Sequence, residues 1–249
     1  DKPRSLVEHL GTGRHYNINS KSGKLQLLFA EHTNSNDIYN TDISCYMDNM
    51  ESLSRMSQPY VVIAPSYMVY SIDFNQFIHT HIDSGADITL LYHAVDNAKE
   101  AYLTCNVLDL NRQKGVQAIE ANHGNKKNQN IYMDTCIMKT ELFISLVKEA
   151  KKLSSMYTLT DVINDKCETL DIRGVAHKGF FASVTDFPSY YKANMDLLNY
   201  KAAQELFHED WPIYTRTNDS CPTQYFDSAE VKNSVISNGC QIEGTVENS

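Results

Sequence analysis

Short apolar runs alternate with amphipathic helical stretches along most of this chain, and that alternation constrains its fold more than any other feature. Tyr60-Val61-Val62-Ile63-Ala64 is a continuous apolar run stopped by Pro65. Such a run reads as a strand buried on both faces, as in a parallel sheet covered by helices. Phe74 to Ser84 follows with helical spacing, Phe74, Phe77, Ile78 and Ile82 inward and Gly85 at its C-cap. Ile88 to Tyr92 is the next strand. Thr140 then caps a helix from Glu141 to Lys152, with Leu142, Phe143, Leu146, Val147 and Ala150 as its buried stripe. Alternating strand and helix define an α/β class.

The remaining segments fill in that frame. Ser5 to Leu10 reads as a short helix ending at Gly11, Gly13 to Lys24 as a polar loop, and Leu25 to Ala30 as a strand. Asp37 to Met56 has helical spacing. Tyr102 to Leu108, Val116 to Ala121 and Ile131 to Met138 read as strands, with Asn122 to Asn130 a polar loop. Leu159 to Cys167 is a helix, Leu170 to Ile172 and Phe180 to Val184 are strands, and Phe187 to Leu198 is a helix. From Asp210 the character changes to an extended connection. Ile236, Ile242 and, slipped by two, Val246 then set a six-residue rhythm that points to a β-helix coil. Two such turns are too few to be stable alone, so this reading expects the chain to stop inside a second domain.

Composition narrows the partners. The 249 residues carry 22 Lys and Arg against 31 Asp and Glu, a formal charge of −9. A nucleic-acid partner would want a basic face, so none is expected. No apolar run reaches the ~18 residues of a membrane span, and no apolar signal core follows Asp1, so no membrane partner and a cytoplasmic location are expected. Gly11-Thr12-Gly13 is the tightest glycine pair among ten glycines, and there is no phosphate-cradling G-x-G-x-x-G. The six cysteines are widely spread without a C-x-x-C pair, which speaks for reduced, mostly buried thiols rather than a zinc site. His79 and His81 do not share a helix face. Lys126-Lys127 reads as solvated. Cys45 has no base near it in sequence and is not expected to be a nucleophile.

Several stretches resemble one family, the ADP-glucose pyrophosphorylases (glucose-1-phosphate adenylyltransferases). They are Ser5-Leu6-Val7-Glu8-His9-Leu10-Gly11-Thr12-Gly13, the strand Tyr60–Ile63 with Tyr70 and Asp73-Phe74, the helix Tyr190-Tyr191-Lys192-Ala193-Asn194-Met195-Asp196-Leu197-Leu198, and Trp211-Pro212-Ile213-Tyr214-Thr215. Asn233 to Ile242 looks like the entry into the family's left-handed β-helix. The resemblance implies a nucleotidyltransferase Rossmann-like mixed sheet flanked by helices over 1–208, a linker over 209–229, and the first turns of a left-handed β-helix over 230–249. It also places the family's glycine-rich loop, with its Arg and Lys, upstream of Asp1.

The family joins glucose 1-phosphate to the AMP part of ATP and releases pyrophosphate, with Mg²⁺ held by two aspartates. The resemblance sets Tyr67 and Ser183 at those two positions, so neither supplies a carboxylate. The nucleotide motif falls on Thr41-Asp42-Ile43-Ser44-Cys45. The sugar-phosphate motif falls on Ile119-Glu120-Ala121, where Glu120 is kept as a candidate sugar contact and the lysine is lost. This erosion matches the D-type subunit. It implies a non-catalytic regulatory or structural subunit for glycogen synthesis, inactive alone, without a cofactor of its own. Its partner would be a Mg-dependent catalytic subunit in a heterotetramer, with a sugar-phosphate or nucleotide effector. Two alternatives stay open: an active adenylyltransferase with metal ligands relocated to Asp42 or Asp186, and a stand-alone sugar-phosphate or nucleotide-binding module.

Overall fold

A computed structural model describes residues 4–11, 25–30, 37–214 and 219–249. The chain divides into two compact units, Leu28–Tyr190 and a second that gathers Asp1–Leu27 with Tyr191–Ser249.

Before the first unit comes the helix α1 (Arg4–Leu10), closed by Gly11 with φ +52° as its sequence predicts. In the first unit a 3₁₀ turn over Asp37–Tyr39 precedes α2 (Asp42–Asp48) and α3 (Met50–Ser54). The periodicity over Asp37 to Met56 predicts one helix; the chain instead breaks at Asn49. Its side-chain amide donates to the carbonyl of Cys45 at 2.9 Å and competes with the helical ladder for that acceptor. Leu25 to Ala30, expected as a strand, forms no ladder among the described residues, and the polar stretch Gly13 to Lys24 lies outside the described residues.

β1 (Tyr60–Ile63), β2 (Met68–Tyr70), α4 (Phe74–Ser84), β3 (Ile88–Val95), β4 (Asn106–Leu110), β5 (Val116–Ala121) and β6 (Gln129–Lys139) follow. Then come α5 (Thr140–Leu153), α6 (Leu159–Asp165), β7 (Ile172–Ala176), β8 (Phe181–Ser183) and α7 (Phe187–Asp196). The six-stranded sheet runs β5-β4-β6-β3-β7, with β1 also on β6. β3 and β7 are parallel, while β6 is antiparallel to β1, β3 and β4, so the sheet is mixed. β1 is therefore not the doubly covered parallel strand its apolar run suggests. It pairs with β6 alone among the described strands, and each of its residues is half-buried.

Alternation along the strands sorts two cores onto the two faces of the sheet. Ile88, Leu90 and Tyr92 meet Ile43 of α2, Phe143, Leu146, Val147 and Ala150 of α5, and Val162 of α6. Leu91, Ile131, Met133 and Ile137 meet Phe77 of α4, Met68 of β2 and Phe181 of β8. The stripe predicted for α5 is buried, with Leu142 at its margin. Thr140 is not the cap: Lys139 holds that place, and the Thr140 hydroxyl donates to the carbonyl of Gln58 at 2.7 Å. In α4 the buried pair is Phe77 and His81, while Phe74 and Ile82 are exposed. His81 Nδ1 lies 2.8 Å from Thr89 Oγ1, a polar contact that turns the ring inward in place of Ile82. Gly85 ends α4 with φ +67°, a left-handed conformation that a side chain would resist.

β2 and β8 form a separate antiparallel ribbon, with Met68 opposite Ser183 and Tyr70 opposite Phe181. This ribbon covers the second core.

In the other unit, α8 (Tyr200–Leu206) is a helix the sequence reading passed over. Beyond it β9 (Gln224–Tyr225) pairs in parallel with β11 (Gln241–Ile242), and β10 (Glu230–Lys232) with β12 (Thr245–Glu247). Parallel pairing of successive short strands is the arrangement of stacked coils. Ile236, Ile242 and Val246 are half-buried, as are Ser234, Cys240 and Gly244, whereas Val231 and Val235 are exposed.

Candidate functional site

The ribbon brings together two residues that lie far apart in sequence. Tyr67 immediately precedes β2, Ser183 ends β8, and the amide of Val184 donates to the carbonyl of Tyr67 at 2.8 Å. The structure thus sets side by side the two positions at which the sequence reading places lost metal aspartates. Each is tied to the sheet below. The Tyr67 hydroxyl donates to Asp134 Oδ2, and the Cys105 thiol donates to Ser183 Oγ at 3.3 Å.

Asp134 is the residue the sequence reading missed. Leu91 and Tyr92 are consecutive in β3, yet they face Thr135 and Tyr132 of β6. Met133 and Asp134 are left between as a bulge, and Asp134 has φ +45°. Bulges of this kind re-aim a side chain, and this one sends a carboxyl group beneath the ribbon. Burial pushes the Asp134 carboxyl above the usual carboxylate range, and the Tyr67 hydrogen bond opposes that rise. Burial, reinforced by Asp134, pushes the Tyr67 phenol far up. Asp134 Oδ1 is buried without a hydrogen-bond partner, which singles it out among the described residues. A lone acid between Met133 and Thr135 in an apolar strand is the signal that marks it in sequence.

These groups do not fit a divalent metal. Mg²⁺ takes oxygen ligands, and carboxylates supply the charge it needs. A phenol, a hydroxyl and a thiol surround one carboxyl that is already bonded to the phenol. Among the described residues no group of three or more His, Cys, Asp or Glu could hold a metal ion.

The other sequence candidates lie elsewhere. Glu120 sits exposed on β5 opposite Val107, and no hydrogen bond joins it to Tyr67, Ser183 or Asp134. Asp42 is engaged in structure: its carboxylate accepts from the amide of Ile43 at 2.8 Å and from that of Leu159 at 3.2 Å, linking the first turns of α2 and α6. Burial holds its carboxyl above the ordinary value. Replacing Asp42 with alanine is expected to cost about 1–2 kcal/mol, as for loss of a helix cap. Urea unfolding measures it, and an unchanged midpoint would refute the structural role. Asp186 accepts from the amide of Ser189 at 2.7 Å in the first turn of α7 and is exposed. Burial raises the Cys45 thiol, opposite to what a nucleophile requires. His79 is exposed and His81 buried, so the two do not face one ion. No described helix is long and apolar enough to cross a membrane.

The fold and this cluster define a mixed α/β domain with a hydrogen-bonded polar group, Tyr67, Asp134, Cys105 and Ser183, under the β2–β8 ribbon. Comparison with known proteins gives its relatives. The chain is 30% identical over 99% of its length to the glycogen biosynthesis protein GlgD of Geobacillus stearothermophilus, covering 62% of that protein. It is 26% identical over 98% of its length to GlgD of Bacillus subtilis, covering 61%. It is 27% identical over its whole length to the glucose-1-phosphate adenylyltransferase of Thermosipho africanus, covering 60%. No family model matches. These relatives, at 26–30% identity over nearly the whole chain, support the ADP-glucose pyrophosphorylase family, and the chain is GlgD-like in sequence. It spans about three fifths of the length of these relatives.

Proposed function

We propose that this chain is part of a non-catalytic regulatory or structural subunit of glucose-1-phosphate adenylyltransferase in glycogen biosynthesis. The observation that carries the reading is the pair Tyr67 and Ser183. The resemblance sets them at the positions of the family's metal aspartates, and they are hydrogen-bonded to Asp134 and Cys105. Phosphoryl transfer relies on charge neutralisation by a bound metal more than on covalent help, and this cluster offers no pair of free carboxylates. Asp42 and Asp186, the candidates for relocated ligands, serve helix first turns.

In this reading the Mg-dependent chemistry belongs to a catalytic partner subunit in a cytoplasmic heterotetramer. The parallel pairs β9–β11 and β10–β12 are the first coils of a left-handed β-helix. A sugar phosphate or nucleotide is the effector.

ADP-glucose formation by the full-length protein tests this. No turnover is expected from the protein alone with Mg²⁺. Adding the catalytic subunit is expected to change kcat or the effector response relative to that subunit by itself. Identical kinetics with and without the protein would overturn the proposal. Mg²⁺-dependent turnover by the protein alone, lost in Asp42→Asn or Asp186→Asn, would replace it with the relocated-ligand reading.

A further inference from the structure

A second polar group on the same face of the sheet takes no part in this reading. His93 lies on β3 and His177 directly follows β7. Tyr92 and Ala176 are paired in parallel register, so the two histidines stand next to each other at the carboxyl ends of parallel strands. Open α/β sheets present their reactive and binding groups at those ends.

The hydrogen bonds fix which nitrogen carries each proton. His177 Nε2 is 3.0 Å from the carbonyl oxygen of Ser71, which can only accept. The proton is therefore on His177 Nε2, and in a neutral ring Nδ1 is then an acceptor. His93 Nδ1 lies 3.1 Å from His177 Nδ1, so His93 donates through Nδ1. Its Nε2 keeps the lone pair. No described residue pairs with that nitrogen, and the ring is half-exposed.

The surroundings hold both rings in place and keep them neutral. Phe181 packs on His93 with centroids 5.0 Å apart, and Tyr102 stacks on Phe181 at 5.4 Å. Tyr70 meets His177 edge-on at 5.6 Å. The ionisable groups facing the pair are these phenols of Tyr70 and Tyr102. Burial, with His177 as neighbour, lowers His93 to about 4, and burial lowers His177 as well.

We propose that His93 Nε2 is a nucleophilic modification site that captures an activated acyl group. The lone pair attacks the acyl carbon, and the leaving group departs with its bonding electrons. The Nδ1 proton of His93 passes along the existing hydrogen bond to His177 Nδ1. The products are a neutral N-acyl His93 and a His177 imidazolium whose Nε2–H still donates to Ser71. His177 is a positioning residue and proton acceptor in this step.

Diethyl pyrocarbonate, an activated acyl donor, tests the site when the protein is treated at pH 5 and pH 7 and mapped by mass spectrometry. Free N-acetylhistidine in the same tube is expected to lose about 20-fold in rate between pH 7 and pH 5. His93 is expected to lose less than about twofold, since its ring is still neutral at pH 5. His177→Phe removes the proton acceptor and is expected to slow His93 at both pH values. His177→Gln keeps a carbonyl for His93 and an amide for Ser71 and is expected to restore part of the rate and the native ring orientation. Modification of His93 that follows the free-histidine profile would overturn the proposal. So would an unmodified His93, or equal rates in His177→Phe, in protein that keeps its native circular dichroism.

Discussion

A Tyr67→Phe protein is expected to unfold at lower urea concentration, with a loss of about 1–3 kcal/mol, because it removes the hydrogen-bond donor of a buried carboxyl group. Asp134 Oδ1 already has no partner, so the change leaves both oxygens unpaired. The loss should depend on pH in a defined sense. Burial raises the folded-state value of Asp134 above its ordinary 3.8. Between the ordinary and the raised value the folded chain holds more protons than the unfolded chain, so stability falls as pH rises through that window. The Tyr67 bond opposes the rise, so the fall should be steeper in Tyr67→Phe. Asp134→Asn should flatten it. An unchanged urea midpoint in Tyr67→Phe at neutral pH would show that the Tyr67–Asp134 hydrogen bond does not stabilise the fold.

The second large effect is loss of stability in acid. His81, His93 and His177 are all held below the ordinary value of 6.5, chiefly by burial, and His93 reaches about 4. The unfolded chain takes up protons first as pH falls through 6.5, so stability is complete above that value and drains away towards pH 4. For His93 the unscreened effect is roughly 3 kcal/mol, reduced to roughly 1–2 kcal/mol by solvent around its half-exposed ring. Guanidinium unfolding at pH 7 and pH 4.5 should show the drop, and His93→Gln combined with His177→Gln should remove much of it. A double variant that declines as steeply as the parent would show that other groups govern acid unfolding.

Local physics made much of the fold legible. Val116–Ala121 and Phe74–Ser84 have the boundaries their patterns predict, because turn residues and the glycine cap are local signals. The buried stripe of α5 follows from spacing alone. What was not legible depends on partners distant in sequence. β1 looks doubly buried until its place beside β6 is known. Leu25–Ala30 has strand composition but no neighbouring strand among the described residues. Asn122 reads as a loop residue, yet its amide satisfies the carbonyls of Ala98, Ala101 and Tyr102 and is buried.

The site divides in the same way. Resemblance points to Tyr67 and Ser183, and the structure juxtaposes them. It cannot point to Asp134, whose inward aim comes from a bulge, nor to His93 and His177, whose contact spans 84 residues of chain. Glu120, singled out from its motif, stands exposed on β5, while its neighbour Ile119 is buried in the core.

The bulge at Met133 and Asp134 ties the fate of position 67 to a residue in a distant strand. An aspartate at position 67 would strip Asp134 Oδ2 of its phenol donor and leave a buried carboxyl group with no hydrogen bond at either oxygen. An aspartate at 183 would take away the hydroxyl that accepts from the Cys105 thiol. Each such change is a step down in stability by itself, so positions 67 and 134, like 105 and 183, are free to vary only as pairs.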